Sequence, residues 1–314
     1  MKKTLIAASA LATLLSSAAM AETIGVSMAL FDDNFLTVLR NGIQAQADAS
    51  GLSVQIEDAQ NDVAKQLDQI NNFAASGVDA IIVNPVDTSA TQAMTDAAAA
   101  AGIPLVYVNR QPINVDTLPD NQAFVASNEV DSGTLETIEV CRLLKEKGKD
   151  NANIYVMMGE LSNQAAVQRT ADIHDVMAAG KCAVTLNIID EQTANWSRDQ
   201  AQNLMTNWLS TGTAFDAVIA NNDEMAIGAI QAMKAAGLSM EEIVVGGIDA
   251  TQDALAAMQA GDLDVTVFQN AAGQGSGSLE AAVKLAKGEA VEQKVYIPFE
   301  LVTPANIDNY LKKN

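Results

Sequence analysis

From one end to the other, the chain alternates short apolar runs rich in Val and Ile with amphipathic stretches. TIGVSMAL leads into helical spacing from Phe35 to Ala49, stopped by Gly51. LSVQIED leads into Asn61 to Ala75 and Gly77; VDAIIVNP leads into an Ala-rich 90–101 region, Gly102 and IPLVYVN. Strands alternating with helices of about 10–15 residues build βαβ units and hence a parallel sheet. Such a sheet is covered on both faces, which is why its strands read as continuous apolar runs.

A second set follows: NIYVMMG, a helix over 166–179, AVTLNIID, a helix over 197–209, FDAVIANN, a helix over 224–236, and EIVVGGID. VDAIIVNP (78–85) corresponds to FDAVIANN (215–222) at an offset of 137. Gln92-Ala93-Met94 recurs as Gln231-Ala232-Met233, Gly102 as Gly237, and IPLVYVNR is answered by EIVVGGID. Asp, Asn and Gln-Ala-Met returning in one order predict two similar domains. Open parallel sheets bind ligands at the carboxyl ends of their strands, so two facing sheets would wall one cleft. DVTVFQN, a helix over 276–287 and VYIPFELV are surplus to two plain sheets. They predict a chain that crosses between domains more than once. The expected lobes are 22–127 plus 270–298 and 128–269 plus 299–314, joined by a multi-strand hinge.

The compartment follows from the first residues. Lys2 and Lys3 precede an apolar run from Leu5 to Leu15, and Ala19-Met20-Ala21 fits a small-x-small cleavage pattern. This reads as a signal peptide over 1–21, removed before Glu22, of a protein exported to the periplasm. Its loss takes two lysines, so the net charge of −21 becomes −21 − 2 = −23. That charge, with no basic stripe, excludes nucleic acid and anionic lipid as partners. Cys141 and Cys182 then lie where oxidation is permitted, and a disulfide is expected.

Polar groups collect where the strands stop: Asp33, Asn84, Asn109-Arg110, Asn222, Asp249 and Gln269. Carboxamides offer donor and acceptor together, carboxylates accept twice, and arginine donates in a fixed fork, a set suited to vicinal hydroxyls. Phe35 and Trp196 could cover the apolar faces of a ring. Each has a plainer reading. Asn84 can brace the turn before Pro85, Asp223 and Glu224 can cap the helix they open, Trp208 can be core, and Arg110 and Arg169 can be surface ion pairs. Enzyme readings are poor: the single histidine, His174, sits in a helix, and no His/Cys spacing suits a metal. GQGSG (273–277) superficially resembles a dinucleotide loop but lacks the acidic residue on a following strand, and it is expected to open the 276–287 helix.

DDNFLTVLRNGIQAQADASG, IIVNPVD, VYVNRQP, FVASNEVDSG, AAVQRT, NWSRDQA, IANNDEMAIGAI, VVGGIDAT and TVFQN form a collinear series. In it the chain resembles the periplasmic sugar-binding proteins of bacterial ABC importers, the ribose/galactose-binding type. The resemblance implies a type I periplasmic binding protein: an α/β fold of two similar doubly wound parallel-sheet domains, without enzymatic activity or cofactor. It implies that Asp33 and Phe35 line the ligand site from the first loop, and that Asn109 and Arg110 bind hydroxyls from the N-terminal domain. Arg169, Trp196, Asn222, Asp249 and Gln269 are implied to do so from the C-terminal domain and hinge. Three positions depart from the pattern: Leu36 and Ile248 where aromatics are frequent, and Asn109 where Asp is common. GELSNQAAVQRT and EQTANWSRDQAQNLMTNWL look most similar to the inositol- and rhizopine-binding branch. The implied ligand is myo-inositol or a relative, with ribose or another pentose or hexose as the alternative. The implied partner of this monomer is an ABC permease with its ATPase, or alternatively a chemotaxis or sensing receptor.

Overall fold

The computed structural model describes residues 22–314; the expected signal peptide lies outside the described residues. The chain begins with β1 (Thr23–Met28), α1 (Asn34–Ser50), β2 (Ser53–Asp58), α2 (Val63–Ser76), β3 (Ala80–Val83), α3 (Thr91–Ala101), β4 (Leu105–Val108) and β5 (Gln122–Ala126). It continues with α4 (Glu129–Glu146), β6 (Asn151–Met158), α5 (Gln164–Ala178), β7 (Thr185–Thr193), α6 (Arg198–Ser210), β8 (Ala217–Ala220), α7 (Asp223–Ala235), β9 (Val244–Gly246) and α8 (Gln252–Gln259). The last elements are β10 (Thr266–Phe268), α9 (Ala271–Ala286), β11 (Lys294–Tyr296) and β12 (Glu300–Val302).

The first sheet has 6 strands in the order β11-β5-β4-β3-β1-β2, all parallel. The central strands β3 (AIIV) and β4 (LVYV) are apolar throughout because they feed two cores. Along β4, Val106 and Val108 face the layer of α1 and α9, while Leu105 and Tyr107 face that of α2 and α3. The second sheet, β7-β6-β8-β9, has 4 parallel strands and the same two-faced construction. Val218 and Ala220 of β8 join the core of α6, α7 and α8; Ala217 and Ile219 join that of α4 and α5. Trp208 belongs to the first of these cores: its ring stacks on Tyr155 at 4.3 Å and its indole N–H donates to Asp190 at 2.8 Å.

VYIPFELV is not one strand. It divides at Pro298, so that β11 joins the first sheet while β12 pairs antiparallel with β10 beside the second. Since α9 packs on α1 and on β3–β5, the chain passes between the sheets after β5, after β10 and after β11. The GQGSG segment also differs from expectation. It lies inside α9, which begins at Ala271. A Cβ at Gly275 would stand 2.3 Å from Leu39 O, and one at Gly42 2.8 Å from Ala272 O. These glycines let α1 and α9 approach backbone to backbone, and they hold no phosphate loop.

Cys141 on α4 and Cys182 after α5 are joined in a disulfide across 41 positions of sequence, with Cα atoms 5.4 Å apart. The bridge fastens the α4–α5 layer to the loop that enters β7. In the chain-entropy model a loop of this size contributes about 3–4 kcal/mol. Replacing both cysteines by serine is expected to lower the unfolding free energy by that amount in denaturant titrations. An unchanged midpoint would show the bridge to be energetically idle.

Candidate functional site

The carboxyl ends of both sheets open on one cleft. Asp33, Phe35 and Leu36 enter it from the start of α1, Asn109 and Arg110 from the end of β4. On the opposite wall stand Glu129, Ala165, Arg169, Trp196, Asn222, Asp249 and Gln269. The nine residues that the resemblance implied for the ligand site all line this space, whereas Asn84 does not. The walls stand close together and leave a cavity of only about 40 Å³ between them.

Helix starts place several of these groups. Asp33 and Asn222 each precede a helix by one residue, and each side-chain oxygen accepts a backbone N–H of the first turn, Leu36 N at 2.7 Å and Met225 N at 3.0 Å. A residue at the N-cap is thereby fixed in rotamer. The capping role expected of Asp223 and Glu224 therefore belongs to Asn222. Asp223 turns inward instead, accepting from Thr251 N and Oγ1 and from Thr266 Oγ1, and so binds the loop after β9 to β10. Glu224 pairs with Arg198 through two 2.9 Å bonds.

Arg169 is the centre of the far wall. Its guanidinium meets both Glu129 oxygens at 2.7 and 3.2 Å, the Asn221 carbonyl at 2.7 Å and Gln269 Oε1 at 3.2 Å. It lies 5.6 Å from the centre of the Trp196 ring and 4.0 Å from the Asp249 carboxylate. Being 4% exposed, it is no surface ion pair. Arg110 is equally enclosed and donates to Pro85 O at 2.9 Å. Asn109, in the left-handed region, commits its amide to Asn84 and Gln274 at 3.4 and 3.1 Å. Asn84 stays out of the cleft and braces Ala29, Val108 and Asn109, the plainer of its readings. Trp196 also has positive φ, and its ring lies where a side chain at residue 159 would be: a Cβ on Gly159 would come within 2.2 Å of it.

Two buried donors on the cleft residues have no partner: Trp196 Nε1 and Gln269 Nε2. Because Arg169 takes Gln269 Oε1, the amide is left with its N–H₂ end free. Burial dominates the titration of the charged groups. It pushes Asp33 up and Arg110 down, each opposed by the other's charge. It raises Asp249 well above its ordinary value despite the attraction of Arg169. Behind the cleft, burial lifts Glu136 strongly and takes Asp172 and Asp223 up to about 7.

Glu129 was not singled out from the sequence. A buried Arg169 demands an acidic partner, but nothing local says which of 39 Asp and Glu supplies it. Across the rims, Asn34 Nδ2 donates to Glu224 at 2.7 Å on one side. On the other, Thr88 N and Oγ1 both donate to Ser162 O at 3.0 Å, and Gln164 N donates to Thr88 Oγ1 at 3.2 Å. His174, half exposed, pairs with Glu191 and lies apart from the cleft lining.

A model of the periplasmic binding protein domain matches residues 24–290. The chain belongs to the periplasmic binding protein family. That family comprises substrate-binding proteins of ABC transporters and not enzymes. A Rhizobium meliloti protein named for rhizopine binding is 66% identical over 315 residues, covering 100% of both chains. An ABC transporter solute-binding protein of Bacillus halodurans, solved with bound myo-inositol, is 42% identical with a TM-score of 0.86, over 93% of this chain and 98% of that one. The Caulobacter myo-inositol binding protein bound to myo-inositol is 30% identical with a TM-score of 0.82, over 91% and 95%.

The Asp172 proton has a measurable consequence. A folded-state value near 7 against an ordinary 3.8 means that the folded protein keeps a proton that the unfolded chain releases. Its contribution is complete below pH 3.8 and is lost as pH rises through 7. Thermal melts are expected to show wild type losing stability relative to Asp172→Asn over that window. Parallel curves would refute the shift.

Proposed function

We propose that this chain captures a cyclitol or monosaccharide, myo-inositol or a close relative, by closing two lobes over it in the periplasm. The lobes are 22–127 plus 270–298 and 128–269 plus 299–314, and the loaded monomer hands its ligand to a membrane permease driven by an ATPase. One observation carries the reading: residues of both walls bring fork-like polar groups to one small cleft, where Trp196 and Gln269 hold buried N–H groups without partners. A polyhydroxylated ring supplies acceptors for those donors and donors for Asp33 and Asp249. The relatives solved with myo-inositol support the choice of ring.

The mechanism follows from which wall each group belongs to. Asp33, Phe35, Asn109 and Arg110 meet the ligand from the first lobe; Arg169, Trp196, Asn222, Asp249 and Gln269 meet it from the second. Asn222 spends its side-chain oxygen on the helix cap and has its N–H₂ end to offer, whereas Asn109, engaged at both ends, keeps only its second N–H. An open cleft leaves these groups solvated. A ligand that contacts both walls binds the closed form better, and that differential affinity drives closure. The rim bonds at Thr88 and Asn34 form only when the walls meet, and they add to the closed state.

The test uses variants that spare the fold. Asn222→Ser keeps an oxygen that can cap α7 but loses the amide donor, and Arg110→Ala removes the fork on the first wall. Each is expected to weaken myo-inositol binding by about 1.5–3 kcal/mol in calorimetry. In thermal shift, ligand at about 100 times its dissociation constant should add about 2.7 kcal/mol to wild type. Wild-type affinity in both variants would remove these residues from the site. No shift with any cyclitol or sugar would refute the function.

A further inference from the structure

Asp249 has φ of 125°, and Ala250 follows at 51°, conformations that side-chain-bearing residues rarely adopt. Such residues are strained and persist only where their surroundings over-determine them. Here the restraints can be read bond by bond. Asp249 N donates to Val267 O at 2.8 Å, Ala250 N to Thr266 Oγ1 at 3.1 Å, and Thr251 N to Asp223 Oδ2 at 2.8 Å. The Asp249 carbonyl accepts a long 3.3 Å bond from Gln269 N. Its short bond, 2.7 Å, comes from the side-chain amide of Asn314, the last residue of the sequence.

The same Asn314 Nδ2 donates to Gln269 O at 2.7 Å, and Asn314 Oδ1 accepts from Ala271 N at 3.2 Å. One carboxamide thus spends both N–H groups and its oxygen on three backbone sites. Two of those sites belong to cleft residues. The third is the first residue of α9, the helix packed on the first sheet. Asn314 is delivered there by a docked tail: Tyr310, 6% exposed, packs its ring 5.2 Å from Phe268 and donates to Glu300 at 2.8 Å. Lys313 covers both rings, its Nζ 4.7 Å from the centre of Tyr310 and 5.0 Å from that of Phe268.

We infer that Asn314 is a positioning residue of the binding site. It stands outside the cleft lining and sets the backbone from which the Asp249 carboxylate and the Gln269 amide project. Through Ala271 it couples both to the chain crossing into α9. Neither Asp nor Ala can replace it. Aspartate lacks the two donors and would set a carboxylate oxygen against two carbonyls; alanine makes none of the three bonds.

This assignment rests on the cleft being the ligand site, and the experiment separates the two. Asn314→Ala and Asn314→Asp are compared with wild type for myo-inositol affinity, melting temperature and amide hydrogen exchange. Both variants are expected to bind at least about 10-fold more weakly. Faster exchange should be confined to residues 249–251 and 269–271, with the melting temperature held. Affinity within about twofold of wild type in either variant would overturn the assignment. So would faster exchange across the whole second sheet with a lowered melting temperature, which marks a general stabiliser. A wild-type chain that binds no cyclitol or sugar would instead refute the reading of the cleft, while the exchange pattern would still judge the brace.

Discussion

A guanidinium withdrawn from water loses several kcal/mol of hydration, and the far wall of the cleft is organised around recovering it. Arg169 reaches Glu129 on α4, the strand-end carbonyl of Asn221 and the amide of Gln269, and it lies beside the Trp196 ring. These partners come from separate elements of the second sheet and its crossings, so one buried charge fixes their mutual placement. Without Glu129 the cation would stand alone in a low-dielectric interior. Without Arg169 the carboxylate would. Each partner's burial is conditional on the other, and the wall exists as a unit.

That rigidity bears on binding. Groups already held in rotamer lose little entropy when a ligand arrives. Asp33 and Asn222 are held by helix N-caps, Gln269 by Arg169, Trp196 by the bare backbone of Gly159, and Asp249 by a strained turn braced from several sides. The strain at Asp249 and the orphaned donors of Trp196 and Gln269 meet in one wall of the cleft, and Glu136 and Asp172 behind it also keep oxygens without partners. Defects of this kind concentrate where a protein meets something else. Freedom is left in the approach of the two walls, which is spanned by a few rim bonds.

Much of this was legible in the sequence because parallel α/β architecture writes itself in repeats. The strand–helix alternation, the echo of VDAIIVNP in FDAVIANN and the polar residues closing the strands led to two sheets and one cleft, while Arg169 was implied for it only by the family resemblance. What stayed hidden depended on three-dimensional neighbours. Asp223 looks like a helix-capping carboxylate, yet the helix already begins at Asp223, so the cap falls to Asn222 and Asp223 is drawn inward by Thr251 and Thr266. GQGSG is expected to open its helix, yet it lies inside α9, where the close approach of α1 requires Gly275. Glu129 has no local signature, because its reason for burial is an arginine 40 residues away.

The central claim is that a ligand bridges the two walls and so selects the closed form. Small-angle scattering of the mature chain, titrated with myo-inositol, addresses it most directly. The account predicts a larger radius of gyration without ligand, a decrease that saturates with binding, and a loaded profile that matches the closed geometry described above. Saturable binding with an unchanged radius of gyration would contradict it.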